Sequence, residues 1–325
     1  MNTYSFLNFC NYYLTRSLKR NFKFAIFFLL FVFNSANAER ILFIGNSFTF
    51  AYGSAVQFYR ADTVTDLNHH GIGGVPALFK SFATQVGLPY DVALETEPAI
   101  GIDWHLKHKP DVILQQAWDR VVLQSYSTLD MYHPGDPTLL MNSVAEMAQL
   151  LCQKNPNVQI DLVATWPRAD QVYEAKGAWY GRTLDAMTQD IQDGYDKALK
   201  ETPKLHAVAP VGFAWLHAMQ DGIAVSNPYL PIAPDQINLW TFDHYHASNY
   251  GYYLEALVIF GTITGIDPQA LGDTECAGYE LGMSRYQIKS LQKIAYEELL
   301  KDNKLKQHAI AESHRPTSMR CDAHN

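Results

Sequence analysis

Three residues of this chain have the side-chain types of a nucleophilic hydrolase. Ser47 follows the apolar run Ile41–Ile44, whereas Asp243 and His246 lie three residues apart near the other end of the sequence. In a turn, an aspartate at this spacing can accept the imidazole N–H and fix its tautomer, and such a histidine can take the proton of a serine hydroxyl. The chemistry that these residue types could perform is acyl transfer through a serine nucleophile.

Each of the two patterns, taken alone, also has an explanation without chemistry. A serine at the end of a strand can cap the next helix through its hydroxyl. An aspartate three residues before a histidine can cap a turn and leave the histidine at the surface. The residue types alone keep both explanations open, so the surrounding elements are needed to choose between them.

The predicted elements place Ser47 at a position where ligands bind. Ile41–Ile44 has the continuous apolar pattern of a buried parallel strand, and Ser47 follows its carboxyl end, the edge where open α/β sheets bind their ligands. Alternating strands and helices along the rest of the chain predict a doubly wound parallel sheet. We predict further strands at Tyr90–Glu95, Val121–Gln124 and Val158–Trp166, a short apolar segment at Val208–Phe213, and helices at Pro76–Val86, Leu139–Cys152, Thr183–Leu199, Ser248–Gly265 and Met283–Leu300.

Two stretches lack a clear regular element. Ala51–Gly74 reads as a long loop with some helix. The apolar run Val112–Leu114 is separated from Val121–Leu123 by only about six residues, too few for the crossover that neighbouring parallel strands require. We therefore take Val121–Leu123 as part of the third strand and Val112–Leu114 as loop or short helix.

The segments around Ser47 and His246 together resemble the SGNH hydrolases, also called the GDSL-type esterase superfamily. The resemblance rests on two blocks, Gly45-Asn46-Ser47-Phe48-Thr49 after an apolar first strand and Asp243-x-x-His246-Ala247-Ser248-x-x-Gly251-x-Tyr253-Leu254 near the C-terminus. It covers roughly Arg40–Pro268 and implies a three-layer α/β/α sandwich with a doubly wound parallel sheet, flavodoxin-like in outline, that hydrolyses esters. In this resemblance Ser47 matches the nucleophile, His246 the general base and Asp243 its orienting acid.

The resemblance also implies an oxyanion hole with three donors. The family uses the backbone N–H of the nucleophile, here Ser47, a glycine N–H after the second strand and an asparagine side chain after the third. Gly101 stands at the glycine position. The usual Gly-x-Asn-Asp is absent, and Gln124 stands at the end of the third strand, where a glutamine amide can donate to the oxyanion in the same sense. Gln115 is the competing candidate.

Histidines and acidic residues near these blocks also allow a metal interpretation. His244-Tyr245-His246 and His105-x-x-His108 could supply imidazoles, with Asp243 or Asp103 as the carboxylate. The spacing of these ligands is loose, so we predict neither a metal nor a cofactor.

Polar and aromatic residues are expected around the pocket. Asp103, Trp104 and His105 are expected to line its entrance. Tryptophans near the site would suit stacking on a sugar ring, although core packing is their default role. The tryptophans concerned are Trp104, Trp118, Trp166 and Trp240.

Length and composition narrow the class of protein. A chain of 325 residues with 48% hydrophobic residues can bury a large core. No repeat or linker divides it, so we predict one domain over residues 39–302 and a polar tail over residues 303–325. The formal net charge of -8 supplies no basic surface of the kind that nucleic-acid binding needs, so we exclude a nucleic-acid partner.

The N-terminus has the pattern of a secretory signal peptide. Lys19, Arg20 and Lys23 precede the apolar run Phe24–Phe33, and small and polar residues follow up to Ala36-Asn37-Ala38. The run is shorter than the ~20 residues of a helix that spans a bilayer. We therefore predict that residues 1–38 are cleaved after Ala38, with no stable membrane insertion afterwards and a secreted or periplasmic location; an uncleaved anchor is the alternative.

Together these features predict a secreted or periplasmic serine esterase that acts through an acyl-enzyme on a small-molecule or carbohydrate ester. Removal of acetyl or other small acyl groups from a carbohydrate is the expected reaction. The alternative, from another class, is a glycan-binding module on the same fold, in which the altered oxyanion residue has ended catalysis. A complete set of Ser, His and Asp favours the enzyme.

Overall fold

The computed structural model describes residues 38–301 and Leu305. The predicted signal peptide, apart from Ala38, and the predicted tail, apart from Leu305, lie outside the described residues. The predictions for these two segments therefore stay predictions.

The described strands are β1 (Glu39–Gly45), β2 (Thr65–Asp66), β3 (Tyr90–Thr96), β4 (Arg120–Leu123), β5 (Gln159–Ala164) and β6 (Leu205–Pro210). They form one open, all-parallel sheet in the order β2-β3-β1-β4-β5-β6. Without the short β2, this is the 2-1-3-4-5 order of flavodoxin-like folds, whose ligands bind where the winding direction reverses. Because β1 pairs with both β3 and β4, the carboxyl ends of three neighbouring strands meet at the edge where Ser47 lies.

The described α-helices are α1 (Gly74–Gln85), α2 (Ile102–His108), α3 (Pro110–Ile113), α4 (Thr138–Lys154), α5 (Ala169–Tyr173), α6 (Leu184–Glu201), α7 (Val211–Gln220), α8 (Asn249–Thr264), α9 (Cys276–Glu280) and α10 (Arg285–Lys301). Helix α8 packs against α1 and α10, and helix α4 packs against α2 and α6. These two sets flank the sheet, which confirms the predicted three-layer α/β/α sandwich. Within the described residues, none of these helices has the length and apolarity that a membrane span requires.

Helix α8 is the central helix of its layer and is buried along nearly its whole length, from Gly251 to Ile263. A helix that is apolar on every side belongs in a core. The Ser248 side chain accepts the Gly251 N–H at its start, and Gly265 ends it in the left-handed conformation, with φ 70°. These are the start and stop that the sequence predicts, and they place the beginning of α8 directly after the segment of His246.

Several elements differ from the prediction or refine it. β2 lies inside the predicted loop Ala51–Gly74. It was not predicted because two residues are too few to produce a periodic pattern. The short helix α2 after Gly101 is likewise absent from the prediction. The apolar segment Val208–Phe213 is the junction of β6 and α7, where a continuous apolar run hides the boundary at Pro210. Val112–Leu114 is helical at Val112 and Ile113, which confirms one of its two predicted forms.

Candidate active site

The turn after β1 is closed by Asn46 and not by Ser47. Asn46 Oδ1 accepts the Phe48 N–H at 3.1 Å, which is the capping contact that the sequence left open for the serine. Asn46 Nδ2 donates to Ile100 O at 2.8 Å and to Ser125 O at 3.1 Å. We call residues 46–49 the nucleophile turn, after the role predicted for Ser47. This turn is thus tied to the segments that follow β3 and β4, and the Ser47 hydroxyl is left for another partner.

The structure brings Ser47, His246 and Asp243 together in one hydrogen-bonded row. His246 Nε2 lies 2.9 Å from Ser47 Oγ, although the two residues are 199 positions apart in the sequence. On the other side of the ring, His246 Nδ1 lies 2.6 Å from Asp243 Oδ2. Ser47 is 5% exposed and His246 is 8% exposed, so the contact lies just below the surface of the sheet edge.

Asp243 is held in its charged form by four donors. Its Oδ1 accepts the Thr241 hydroxyl at 2.7 Å, the Tyr245 N–H at 3.0 Å and the His246 N–H at 2.9 Å. Burial opposes ionisation of the carboxyl, but these hydrogen bonds and the His246 imidazole outweigh it and hold the pKa of Asp243 well below its ordinary value. A carboxylate at Nδ1 keeps the imidazole proton on that nitrogen, which leaves Nε2 able to accept the Ser47 proton.

The backbone around His246 explains why the two side chains of this segment meet. Between Asp243 and His246 the chain passes through the left-handed region at His244, with φ 56°. Trp240 and Ala247 form an antiparallel bridge across this turn, and α8 begins at Asn249. A tight turn between a bridge and a buried helix fixes the direction of the imidazole toward β1.

Aromatic rings surround the His246 imidazole. Its ring centroid lies 4.1 Å from that of Tyr245 in a stacked arrangement, 4.8 Å from that of Tyr52 and 5.8 Å from that of Phe48. Tyr52 is 47% exposed, so its ring is the most accessible of the three. Tyr52 was not predicted from the sequence, where its closeness to Ser47 along the chain was the one available signal.

Tyr252 is a second residue that the sequence analysis missed. Its hydroxyl lies 3.2 Å from Ser47 O and 3.3 Å from Tyr52 O, and the side chain is fully buried. It therefore anchors the nucleophile turn to α8. Its place directly after Gly251 in the C-terminal block was the available signal.

Gly101 lies at the same sheet edge as Ser47. It is the residue before α2 and has an extended backbone, with φ -111°. The preceding carbonyl, Ile100 O, is the one that Asn46 Nδ2 binds. A Cβ atom at position 101 would clash with the ring of Tyr126, so a larger residue would require that side chain to shift.

Gln124 makes contacts that differ from the predicted donor role. Its Oε1 accepts the Asn46 N–H at 2.9 Å and the Thr49 hydroxyl at 3.1 Å, and its Nε2 donates to Ser125 O. The oxygen of this buried amide, and not its N–H, therefore faces the nucleophile turn. Gln115 is excluded by its position, because it is exposed between α3 and the start of β4, at the opposite end of that strand from Ser47.

The histidines of the metal interpretation have separate environments. His105 is fully buried, with Nε2 3.0 Å from Gly45 O and Nδ1 against Glu95, so the expectation that it lines the pocket entrance is wrong. His108 is exposed and stacks on Trp104, with ring centroids 4.4 Å apart. His246 is in the row with Ser47.

One group of the described residues has the spacing of metal ligands, and it lies outside this site. His217, Asp221 and Glu297 bring one ligand atom each within 4.8 Å of one another. Lys293 Nζ already lies 2.7 Å from Glu297 and 3.5 Å from Asp221, so a lysine supplies the positive charge there.

Most of the tryptophans near the site belong to the core. Trp118, Trp166 and Trp240 are at most 2% exposed, and Trp166 stacks on Phe48 with ring centroids 4.0 Å apart. Trp104 is half-buried. The default role therefore holds for three of the four, and the expectation that Trp104 lines the pocket entrance stays a prediction.

Comparison with protein-family models and with curated proteins found no match. Among solved structures, the chain is similar to a DUF4886 family protein from Bacteroides uniformis (TM-score 0.53, 14% identity, covering 83% of this chain and 98% of that one). It is also similar to a protein assigned as a GDSL-like lipase from Parabacteroides merdae (TM-score 0.50, 16% identity, 70% and 96% covered) and to one assigned as an SGNH hydrolase from Slackia heliotrinireducens (TM-score 0.48, 23% identity, 70% and 100% covered). Likenesses at this level of identity bear on the fold alone, and the first two agree with the predicted α/β/α sandwich.

Proposed function

We propose that this chain is an SGNH-type hydrolase, a serine esterase that works through an acyl-enzyme. The observation that carries the proposal is His246, whose two ring nitrogens lie 2.9 Å from Ser47 Oγ and 2.6 Å from Asp243 Oδ2. A nucleophile, a base and an orienting acid in one row at the ligand-binding edge of a parallel sheet are the requirements of acyl transfer.

In the proposed reaction, Ser47 Oγ attacks the ester carbonyl while His246 Nε2 accepts the hydroxyl proton. The tetrahedral intermediate collapses, the bond to the alkoxy oxygen breaks, and the alcohol leaves with the proton that His246 returns. The acyl group is then bound to Ser47. A water molecule that His246 deprotonates hydrolyses this ester and releases the acid and the free serine.

The proposed oxyanion donors are the backbone N–H groups of Ser47 and Gly101. Both belong to the carboxyl edge of the sheet, and Asn46 Nδ2 links their segments through its bond of 2.8 Å to Ile100 O. Gln124 stabilises this arrangement, since its Oε1 accepts the Asn46 N–H at 2.9 Å. Two backbone donors are enough to stabilise a developing oxyanion, and each is worth about 2.7–4 kcal/mol of barrier.

Labelling of the nucleophile tests this proposal. We expect a fluorophosphonate probe to attach to Ser47 and wild-type protein to hydrolyse p-nitrophenyl acetate, whereas Ser47→Ala loses both. Ser143→Ala is the matched control, because Ser143 is equally buried but its hydroxyl bonds to helix carbonyls of α4. Absence of labelling together with ester turnover that survives Ser47→Ala would refute the serine mechanism.

We propose a carbohydrate ester with a small acyl group as the substrate. The half-exposed ring of Tyr52, 4.8 Å from the His246 imidazole, supports this choice because a sugar ring can stack on an accessible aromatic face. Release of acetate from acetylated oligosaccharides, compared with release from p-nitrophenyl acetate, tests it. A higher kcat/KM for the acetylated sugar is the expected result, and a preference for long-chain acyl esters contradicts it.

A glycan-binding module on the same fold is the second candidate, and the contacts of Gln124 are the observation that favours it. With the amide N–H directed to Ser125 O, the third oxyanion donor of the family pattern has another partner. This candidate requires sugar affinity that is equal in wild-type protein and Ser47→Ala, measured by calorimetry, with no ester turnover by either. Ester turnover by the wild-type protein would exclude it.

The proposed location is secreted or periplasmic. The proposal rests on the N-terminal pattern that ends in Ala36-Asn37-Ala38. Mass spectrometry of the exported protein should give a mature chain that begins at Glu39. A full-length chain that stays with the membrane fraction would favour the uncleaved anchor.

A further inference from the structure

A second histidine lies against the nucleophile turn from inside the protein. His105 of α2 and Glu95 of β3 are both 0% exposed, and His105 Nδ1 meets Glu95 Oε2. The other ring nitrogen, His105 Nε2, lies 3.0 Å from Gly45 O at the end of β1. Asn68 Nδ2 holds the remaining carboxyl oxygen of Glu95 at 3.1 Å. We call Glu95 and His105 the clamp pair.

The clamp pair and Gln124 hold the two ends of one peptide group. The carbonyl of this group is Gly45 O, which His105 binds, and its N–H is that of Asn46, which Gln124 Oε1 binds at 2.9 Å. The next peptide group along the chain carries the N–H of Ser47. Rotation of the clamped group would therefore change the direction of both the Ser47 N–H and the Ser47 side chain.

Counting donors gives the protonation state of the clamp pair. A carbonyl oxygen can only accept, so the contact with Gly45 O requires a proton on His105 Nε2. His105 Nδ1 and Glu95 Oε2 are in close contact but do not form a hydrogen bond of normal geometry. Two unprotonated acceptors in contact would repel each other, so one of these two atoms carries a second proton. With two protons, the pair carries no net charge, either as imidazolium and carboxylate or as two neutral groups. A neutral pair is one that a fully buried site can accommodate.

We propose that Glu95 and His105 are positioning residues of the esterase site, an inference that rests on the proposed function. The pair sets the Gly45–Asn46 peptide so that the Ser47 hydroxyl and N–H face the substrate. His105 also belongs to the helix that begins directly after Gly101, and its own N–H lies 3.4 Å from Gly101 O. One residue thus contacts the segments of both proposed oxyanion donors, through its imidazole at Gly45 and through its backbone at Gly101.

The test compares Glu95→Gln with Glu95→Leu, two side chains of similar size, in p-nitrophenyl acetate hydrolysis at a temperature where circular dichroism shows each variant folded. Glutamine can donate its N–H to His105 Nδ1 and so keeps the proton on Nε2, whereas leucine cannot. We expect kcat within about threefold of wild type for glutamine and roughly 10- to 100-fold lower for leucine, with KM changed by less than about threefold. Equal kcat values in the two variants, or a loss confined to KM, would overturn the inference.

Ile294→Ala is the matched control for lost stability. Ile294 is fully buried on α10, which packs on α8 and α7. The substitution leaves a cavity and lowers the midpoint of unfolding, and we expect unchanged kcat. A fall of kcat in this control as large as that of Glu95→Leu would show that lower stability alone explains the loss, against a positioning role.

A proton–nitrogen correlation spectrum of the wild-type imidazoles separates this inference from the proposed function and needs no variant to fold. We expect His105 to carry a proton on Nε2. An unprotonated Nε2 would overturn the clamp. If this proton is present and the wild-type protein hydrolyses no ester, the clamp of the turn is supported while the proposed function fails.

Discussion

Two pairs of histidine and carboxylate meet the turn after β1, and they differ in burial and in what they bind. The nucleophile pair, His246 and Asp243, places Nε2 2.9 Å from the hydroxyl of Ser47. The clamp pair, His105 and Glu95, places Nε2 3.0 Å from a backbone carbonyl two residues earlier. The side chains of the nucleophile pair are 10% and 26% exposed, and those of the clamp pair are 0% exposed.

The two pairs differ in proton chemistry because of the group that faces each Nε2, a hydroxyl at His246 and a carbonyl at His105. A hydroxyl can donate or accept, so the nucleophile pair can leave Nε2 without a proton and take one from Ser47. A carbonyl can only accept, so the clamp pair has to keep its Nε2 proton in place. Under the proposed function, a histidine with a carboxylate thus moves a proton in one setting and holds the backbone in the other.

Replacing each histidine by alanine should give the largest difference between the two pairs. We expect His246→Ala to lower kcat by about 10⁴- to 10⁶-fold because the base is lost, with a change of no more than about 2 kcal/mol in the free energy of unfolding. His105→Ala should lower the free energy of unfolding by roughly 3–5 kcal/mol, because it leaves Glu95 buried without its partner. Ester turnover and urea unfolding of both variants measure these effects. The opposite assignment of the two losses would contradict the distinction between the pairs.

The same change of acid to amide should have opposite results at the two pairs. In Asp243→Asn the amide N–H would donate to His246 Nδ1, which moves the ring proton to Nε2 and removes the base, so kcat should fall on the order of 10⁴-fold. In Glu95→Gln this tautomer is the one required, so kcat should change little. Turnover of p-nitrophenyl acetate by the two variants, each shown to be folded, checks this, and similar losses in both would refute it.

The acid dependence of stability should report the charged state of Asp243. Its pKa is held below the ordinary value, so it stabilises the folded state at pH above about 3.9, and this contribution is lost as the pH falls toward the pKa of the folded state. Asp243→Asn lacks this contribution. The difference in free energy of unfolding between wild type and variant should therefore shrink between about pH 5 and pH 2. Urea unfolding measures it, and a constant difference would contradict the assignment.

The smallest expected effect concerns access to the nucleophile pair. Tyr52→Ala should raise KM for an acetylated oligosaccharide by roughly 2- to 10-fold, since a stacked aromatic contact is worth about 0.5–1.5 kcal/mol. Turnover of p-nitrophenyl acetate should stay nearly the same. Tyr286→Ala is the control, because Tyr286 is 71% exposed on α10. Equal changes in KM for the two variants would remove Tyr52 from the substrate surface.

The sheet could be predicted because its strands are continuous apolar runs with breaks between them. Ile41–Ile44 and Val158–Trp166 are seen as β1 and β5 with only small shifts at their ends. Hydrophobic periodicity cannot reveal β2, which is two residues long, or α2, which is shorter than two helical turns. The short elements were therefore missed, and they include the helix that carries His105.

For the site, residue types predict which groups meet but not which atoms face one another. Ser47, Asp243 and His246 were expected together and lie together, while their catalytic roles stay predictions. The Gln124 amide turns its oxygen toward the turn because that oxygen accepts the Asn46 N–H. This donor is a backbone group, so the pattern of side chains in the sequence does not reveal it. His105 lies on α2, a helix that was not predicted, and its partner Glu95 lies on β3. The burial of His105 could therefore not be predicted from the sequence.

The contacts of Tyr252 and His246 with Ser47 join distant parts of the sequence, which matters for the order in which the site forms during synthesis. The Tyr252 hydroxyl binds the carbonyl of Ser47 across 205 residues, and His246 reaches the same residue across 199. A growing chain therefore contains the serine long before it contains His246 and the helix that holds the turn. Because contacts of such long sequence separation form late, the proposed activity should be the last property to return on refolding. Its recovery would then report completion of the whole domain.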